Sequence, residues 1–351
     1  MKLFDILANK DKVNVAFIGG SLTEGAGASS KEMRYTTRVT RFIAEKLPNA
    51  TVTEINAAIG GTTSSFGIFR LGKTILEKDP DILFIEYAVN DGGQESLLKY
   101  VEGIVRTARR WKNDLPIVML GAFSTGLYDG NGEDCFGYKV TVLGQMKIAA
   151  AYGIPYINMG KPLYDKIVEC GDMKQYIVDS VHPNDAGYEV YYNVVADKLP
   201  DAKFTFEFPE DAVTGADIID PKLTLCRDMD YIPEGFILSK RRTWYDNFNY
   251  LCSDVNGATA RFEFEGNVCG IYSRIEKDSG IANIYIDGKH VCDHHQWDIA
   301  ANDFDRESFL VYADDLPDGK HVLEIKVSGD KNPESEGHVI RIVGLLTANR
   351  K

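Results

Sequence analysis

One serine, one histidine and one aspartate in this chain are of the types, and stand in the settings, that could make a nucleophile and its base. Ser21 follows an apolar run and a glycine pair in AFIGGSLTEG (16–25), and Asp179 and His182 lie three residues apart in DSVHPNDAGY (179–188). A serine hydroxyl is a poor nucleophile until a base takes its proton, and an imidazole held by a carboxylate is that base. The short turn between them lets Asp179 reach Nδ1 of His182 while Nε2 faces Ser21. Two further stretches offer hydrogen-bond donors. NAAIGGTTSS (56–65) brings Gly60 and Gly61, whose N–H groups can approach a ligand with no Cβ in the way. YAVNDGG (87–93) brings the Asn90 amide, with Asp91 read as shaping the loop. Ser21 N–H, Gly61 N–H and the Asn90 amide would form a three-donor pocket for a developing oxyanion. The chemistry implied is acyl transfer from an ester to Ser21. Activity should then fall as acid protonates the base.

Such residues converge only if the elements between them are right. Short apolar runs at 13–18, 51–57, 82–87, 116–121 and 154–158 read as strands buried on both faces of a parallel sheet. Between them apolar residues recur at three and four, as in Val39, Phe42, Ile43 and Leu47 and in Leu97, Leu98, Val101, Ile104, Val105 and Ala108, and Tyr188 to Leu199 form a last helix. This is a three-layer α/β domain. With a flavodoxin-like strand order 2-1-3-4-5, the loops after the first three strands lie side by side, where open α/β sheets bind ligands. Pro183 stiffens the turn after His182, and Asn184 or Asp185 caps the last helix. Beyond Pro200 the period changes to two, in ARFEFEG (260–266), ANIYIDGK (282–289), KHVLEIKV (320–327) and HVIRIVGLL (338–346), with turn signals at Asp287-Gly288 and Pro317-Asp318-Gly319. The expected division is an α/β domain over 1–203 and an antiparallel β-sandwich or jelly roll over 204–351.

Four blocks, taken together and in this order, resemble the SGNH (GDSL-type) hydrolases, a superfamily of esterases, lipases and carbohydrate deacetylases. GGSLTEG resembles the nucleophile block and implies Ser21; NAAIGGTT resembles the glycine block and implies Gly61 as a donor; AVND resembles the asparagine block and implies Asn90; DSVHPN resembles the acid–base block and implies Asp179 and His182. Gly20 stands where many members have aspartate and Ala88 where glycine is common, and neither change removes a reacting group. The resemblance extends to acetylmannan esterases that pair an SGNH domain with a C-terminal carbohydrate-binding-type sandwich. It implies removal of O-acetyl groups from an oligo- or polysaccharide through an acetyl-serine, without a cofactor. Two other readings stay open: a lipase or lysophospholipase-type esterase, which would prefer long acyl chains, and a sugar-binding protein without catalysis.

Composition narrows the partners. A formal net charge of −13 repels nucleic acid and anionic membrane, and no lysine or arginine stripe reverses it. An acetylated oligosaccharide is the expected partner, and a homo-oligomer is compatible with the same reading. The N-terminal stretch lacks the apolar core of a signal peptide, so the expected location is cytoplasmic, with Cys135, Cys170, Cys226, Cys252, Cys269 and Cys292 as free thiols. GGSLTEGAG lacks dinucleotide spacing, and the G-x-S-x-G elbow of another hydrolase fold is absent. Asp293, His294 and His295 are metal-ligand types, but neighbours in a strand point opposite ways, so no metal site is assigned. Among aromatics able to stack on a sugar, Trp297 is preferred as substrate-binding because polar residues flank it, with Trp244-Tyr245 as second choice.

Overall fold

The computed structural model describes residues 1–127, 140–242 and 248–351. Two compact units divide the chain, Met1–Asp217 and Ile218–Lys351.

In the first unit the elements alternate as α1 (Leu3–Leu7), β1 (Lys12–Gly19), α2 (Ser21–Glu24), α3 (Tyr35–Lys46), β2 (Thr51–Asn56), α4 (Ser64–Thr74), β3 (Ile82–Glu86), α5 (Leu98–Trp111), β4 (Ile117–Gly121), α6 (Val140–Ala151), β5 (Tyr156–Asn158), α7 (Gly160–Cys170) and α8 (Asp185–Lys198). The sheet is parallel and ordered β2-β1-β3-β4-β5. Every residue of β3 and β4 is buried, as expected for strands covered on both faces. β2 differs: it is an edge strand, and the polar alternation of TVTEIN leaves Thr51 and Thr53 exposed. Helix α3 packs on α8, and α4 on α5. Phe17 and Phe84 of the sheet stack at 4.8 Å and share a core with Tyr35, Val39, Ile43, Tyr188 and Val195.

The units part after Asp217 rather than at 203. Residues 204–217 stay with the α/β unit because buried side chains of α5 hold them: Glu102 accepts from the N–H groups of Val213 (2.6 Å) and Thr214 (2.8 Å), and Arg106 pairs with Asp217 at 2.9 Å. These polar grips carry no apolar period, so the pattern of hydrophobics does not reveal them.

The second unit holds β6 (Ile218–Leu225), β7 (Ile237–Arg242), β8 (Asn249–Ser253), β9 (Thr259–Glu265), β10 (Val268–Ile275), β11 (Ile281–Ile286), β12 (Lys289–His295), β13 (Arg306–Ala313), β14 (Lys320–Val327) and β15 (Ile340–Arg350). One antiparallel sheet runs β13-β10-β15-β8-β7 with β6 also on β15, and the other β12-β11-β14-β9. Leu251, Ile271 and Ile342 of the first meet Phe262, Ile284, Leu323 and Ile325 of the second in one core. Asp287 and Gly288, with φ of 51° and 75°, make the two-residue turn that joins β11 to β12. Among the described residues Cys170, Cys226, Cys252, Cys269 and Cys292 are unpaired, and no helix is long and apolar enough to cross a membrane. Cys135 lies outside the described residues.

Candidate active site

Strand β1 ends at Gly19, and Ser21 opens the single turn α2. His182 comes from the segment before α8, yet the two side chains meet: His182 Nε2 lies 2.8 Å from Ser21 Oγ, and His182 Nδ1 lies 2.7 Å from Asp179 Oδ2. The second carboxylate oxygen, Oδ1, accepts from the amides of Val181 (2.7 Å) and His182 (2.8 Å), so Asp179 is fixed by the turn it starts. Burial works against its charge, but the hydrogen bonds from the His182 ring and these two amides prevail, and the carboxyl is held below the usual carboxylate range. An ionised Asp179 in contact with Nδ1 keeps the proton there and leaves Nε2 free to accept from Ser21.

Several bonds hold the two segments in register. Tyr188 of α8 donates to the carbonyls of Leu22 (3.1 Å) and Ala26 (2.7 Å), and Asp185 accepts from Ser29 N–H (2.8 Å) and Oγ (2.6 Å). The loop after β4 adds Thr125 N–H donating to Ser180 O at 3.0 Å. Asn184 caps α8, accepting from the amides of Ala186 and Gly187. The sequence left Asn184 and Asp185 as alternatives; the structure gives the cap to the first and the tie to Ser29 to the second.

The loop after β2 approaches α2 through Ile59 N–H on Gly19 O (3.1 Å) and Gly60 N–H on Glu24 Oε2 (2.9 Å). Gly60 is thereby spent on structure. Gly61 follows it, exposed, with φ of 70° and nothing within 4 Å of where a Cβ would point. Its left-handed backbone favours glycine, and among the described residues its N–H has no partner. Asn90 reaches Gly20: a Cβ there would stand 2.1 Å from Asn90 Oδ1 and 2.7 Å from Nδ2. A side chain at Gly20 would therefore have to displace the asparagine amide from its present position. Asp91 is buried and accepts from Ser64 N–H at 2.9 Å at the start of α4, so it ties the loops after β2 and β3 together.

Sequence reasoning missed Glu24, Asp185, Tyr188 and Glu86 as members of this site. For Glu86 a signal existed, a carboxylate closing the otherwise apolar run of β3. Trp297 must be corrected. It is buried, 8% exposed, in a small cluster with Ile275 and Ala301, so its ring face is not open to stack on a sugar. Its polar neighbours belong to strand β12 and the turn after it, and flanking polarity did not report exposure. His294 is likewise buried against Tyr312 at 2.7 Å while His295 is exposed, so the two point apart on β12. Trp244 and Tyr245 lie outside the described residues.

A flavodoxin-like sheet with a serine after its first strand, paired to an imidazole and a carboxylate before its last helix, has the architecture of an SGNH-type ester hydrolase. The chain's N-terminal domain belongs to the GDSL-like lipase/acylhydrolase family, which matches residues 17–190. Among solved structures, a two-domain esterase active on acetylated mannans, co-crystallised with mannopentaose, superposes with a TM-score of 0.82 at 23% identity, covering 97% of this chain and 91% of that one. A second crystal structure of a two-domain esterase active on acetylated mannans gives 0.84 at 23% identity, over 99% and 94%. At that identity the likeness is one of fold, and it spans both units. No curated protein sequence matched the chain.

Proposed function

We propose that this protein removes O-acetyl groups from an oligosaccharide, a mannan fragment being the first substrate to test, through an acetyl-Ser21 intermediate. The observation that carries the reading is the unbroken chain Ser21 Oγ, His182 Nε2, His182 Nδ1, Asp179 Oδ2, with links of 2.8 and 2.7 Å. Ser21 Oγ attacks the acetyl carbonyl carbon and its proton passes to Nε2. The carbonyl electron pair moves onto oxygen, where Ser21 N–H, Gly61 N–H and the Asn90 amide receive it. Collapse breaks the bond to the sugar oxygen, which takes the proton from His182, and water then repeats the sequence to release acetate. The carbohydrate part of the proposal leans on likeness of fold over the whole chain to an esterase active on acetylated mannans.

Hydrolysis of p-nitrophenyl acetate and mass-spectrometric deacetylation of acetylated manno- and xylo-oligosaccharides test it in one series. Acetate should be the favoured acyl group, acetylated oligosaccharides should lose 42 Da per step (about one acetyl replaced by hydrogen), and Ser21→Ala should abolish both activities. A preference for long acyl chains would assign the site to lipids, and sugar binding without deacetylation would leave a non-catalytic carbohydrate protein.

A further inference from the structure

Resting on the reading of Asn90 as an oxyanion donor, we infer that Glu86 is a positioning residue: uncharged, it holds the turn Tyr87–Asn90 against the Ser21 hinge, and its ionisation releases that turn. The geometry is unusual for a carboxylate. Glu86 ends β3, pairs in register with Gly19, and is 1% exposed, yet among the described residues no lysine or arginine pairs with it. The amides of Ala88 and Val89, the two residues before Asn90, lie near enough to its carboxyl to favour the charged form. Thr23 Oγ1, one turn from Ser21 and bonded to Tyr35 at 3.0 Å, reaches Oε2 at 3.5 Å. The other oxygen, Oε1, is buried with no hydrogen-bond partner, the place where a proton would sit at least cost. One side chain thus touches α2, which starts at Ser21, and the turn that carries Asn90.

Among the described residues, the titratable groups around Glu86 supply no positive charge. They are Tyr35 from α3, Tyr188 and Tyr191 from α8, Tyr156 from β5, and Tyr87 and Asp91 from its own loop. Burial lifts all five tyrosines above the ordinary phenol range, so none ionises first. Burial also pushes Glu86 up to about 8, against the pull of the Val89, Thr23 and Ala88 hydrogen bonds and with help from Asp91. Asp91, raised to about 7 by burial, is the one neighbour that titrates nearby, so Asp91→Asn serves as a control.

The test compares wild type with Glu86→Gln and Glu86→Ala on p-nitrophenyl acetate from pH 6 to 10, and follows thermal unfolding of each over the same range. Wild-type kcat should fall above about pH 8, and the Gln protein, which cannot ionise, should lose that limb while staying within about threefold of wild type at pH 7. The Ala protein should lose about ten- to a hundredfold in kcat at every pH with KM little changed, less than the full loss of an oxyanion donor. Wild type should also lose unfolding temperature between pH 7 and 9 more steeply than the Gln protein. An alkaline limb that persists in Glu86→Gln and vanishes in Asp91→Asn would overturn the inference, as would an Ala protein with wild-type kcat. If Ser21→Ala keeps full activity the proposed function fails instead, and the unfolding arm still decides whether Glu86 is held neutral.

Discussion

Glu86 in the α/β unit and Glu276 in the sandwich are withdrawn from water to nearly the same extent, 1% and 3% exposed, and are driven in opposite directions. Burial raises both. At Glu276 the guanidinium of Arg274 on Oε1 (2.8 Å), that of Arg341 on Oε2 (3.2 Å) and the Tyr250 hydroxyl overcome it, and the carboxyl is held below its ordinary range. Arg241 adds a fourth contact at 3.0 Å. Glu86 has nearby amides and the Thr23 hydroxyl but, among the described residues, no cation, and it goes up. Partners as well as depth decide the charge state of a buried acid. The surroundings differ in the same sense. The sandwich satisfies both oxygens of Glu276, while the loops around Ser21 leave Glu86 Oε1, Asn90 Oδ1 and Asp91 Oδ2 buried without partners.

The contrast is sharpest for Ser21, where a substitution should leave the fold alone and remove the chemistry. Ser21→Ala is expected to lower kcat by roughly ten thousandfold or more, with the unfolding temperature unchanged, since among the described residues the hydroxyl's only partner is His182 at 2.8 Å. Glu276→Ala is the mirror experiment. It takes from Arg274 and Arg341, each largely buried, their shared carboxylate and leaves them Asp305, Glu307 and Asp278, so the loss should lie at or below the lower end of the about 3–5 kcal/mol that breaking a buried ion pair from one side costs. Hydrogen exchange should accelerate in peptides from β10 and β15, which carry Arg274 and Arg341. A stability within experimental error of wild type would show that Glu276 is not the centre of that network.

Titration separates the two acids again, with opposite signs. Glu86 binds its proton more tightly folded, at about 8, than a carboxyl free in the unfolded chain, near 4.5. Its stabilisation is complete below that lower value and is lost as pH rises toward 8. Glu276 is lowered in the folded state, so its stabilisation is present above the ordinary carboxyl value and lost as pH falls through its own. Exchange corrected for intrinsic rates should therefore loosen β3 on going from pH 7 to 9 while β10 and β15 stay protected. Below pH 4.5 the order should reverse. Parallel behaviour of the two regions would break the comparison outright.

Much of this was legible in the amino-acid order, for reasons that are themselves physical. Strands β1, β3 and β4 are mainly apolar runs, interrupted by Asn14 in β1 and closed by Glu86 in β3, because helices cover both faces, and the sheet order follows from repeated strand–helix units. The cluster of Ser21, His182 and Asp179 was legible because a serine, a histidine and a carboxylate are few and distinctive residue types: the three side chains lie within hydrogen-bond distance of one another in that order, and Gly61 and Asn90 lie on the loops after β2 and β3. Strands β10, β12 and β13 were not. β10 is buried at every position, on both faces, and so shows no alternation, while β12 is a polar edge strand and β13 an edge strand whose run 309–313 is continuous rather than alternating. Trp297 was misjudged because nearby charge in sequence says little about what a loop folds over. Glu86 and Glu276 look alike as letters, and what tells them apart is the cations around Glu276: Arg274 two residues away, and Arg241 and Arg341 from strands distant in sequence.

The smallest expected effect lies where stability and catalysis touch the same residue. Asn184 caps α8 through Ala186 N–H (3.0 Å) and Gly187 N–H (3.2 Å), and its own amide donates to Lys174 O (3.2 Å), two residues beyond His182. Asn184→Ala should cost about 1 kcal/mol of stability, and Asn184→Ser should recover most of it, because a hydroxyl can accept the same amide bonds. Were the cap structural alone, kcat at a temperature well below unfolding would be unchanged. Because the turn it closes also fixes Asp179 and His182, a fall of up to about fivefold is expected, the same 1 kcal/mol expressed as a rate. Asp185, still bonded to Ser29 at 2.6 and 2.8 Å, should keep the fall from going further. A loss in Asn184→Ala as large as that of Ser21→Ala would mean that the His182 segment depends on one cap for its position, and that the site is far less rigid than its network of bonds implies.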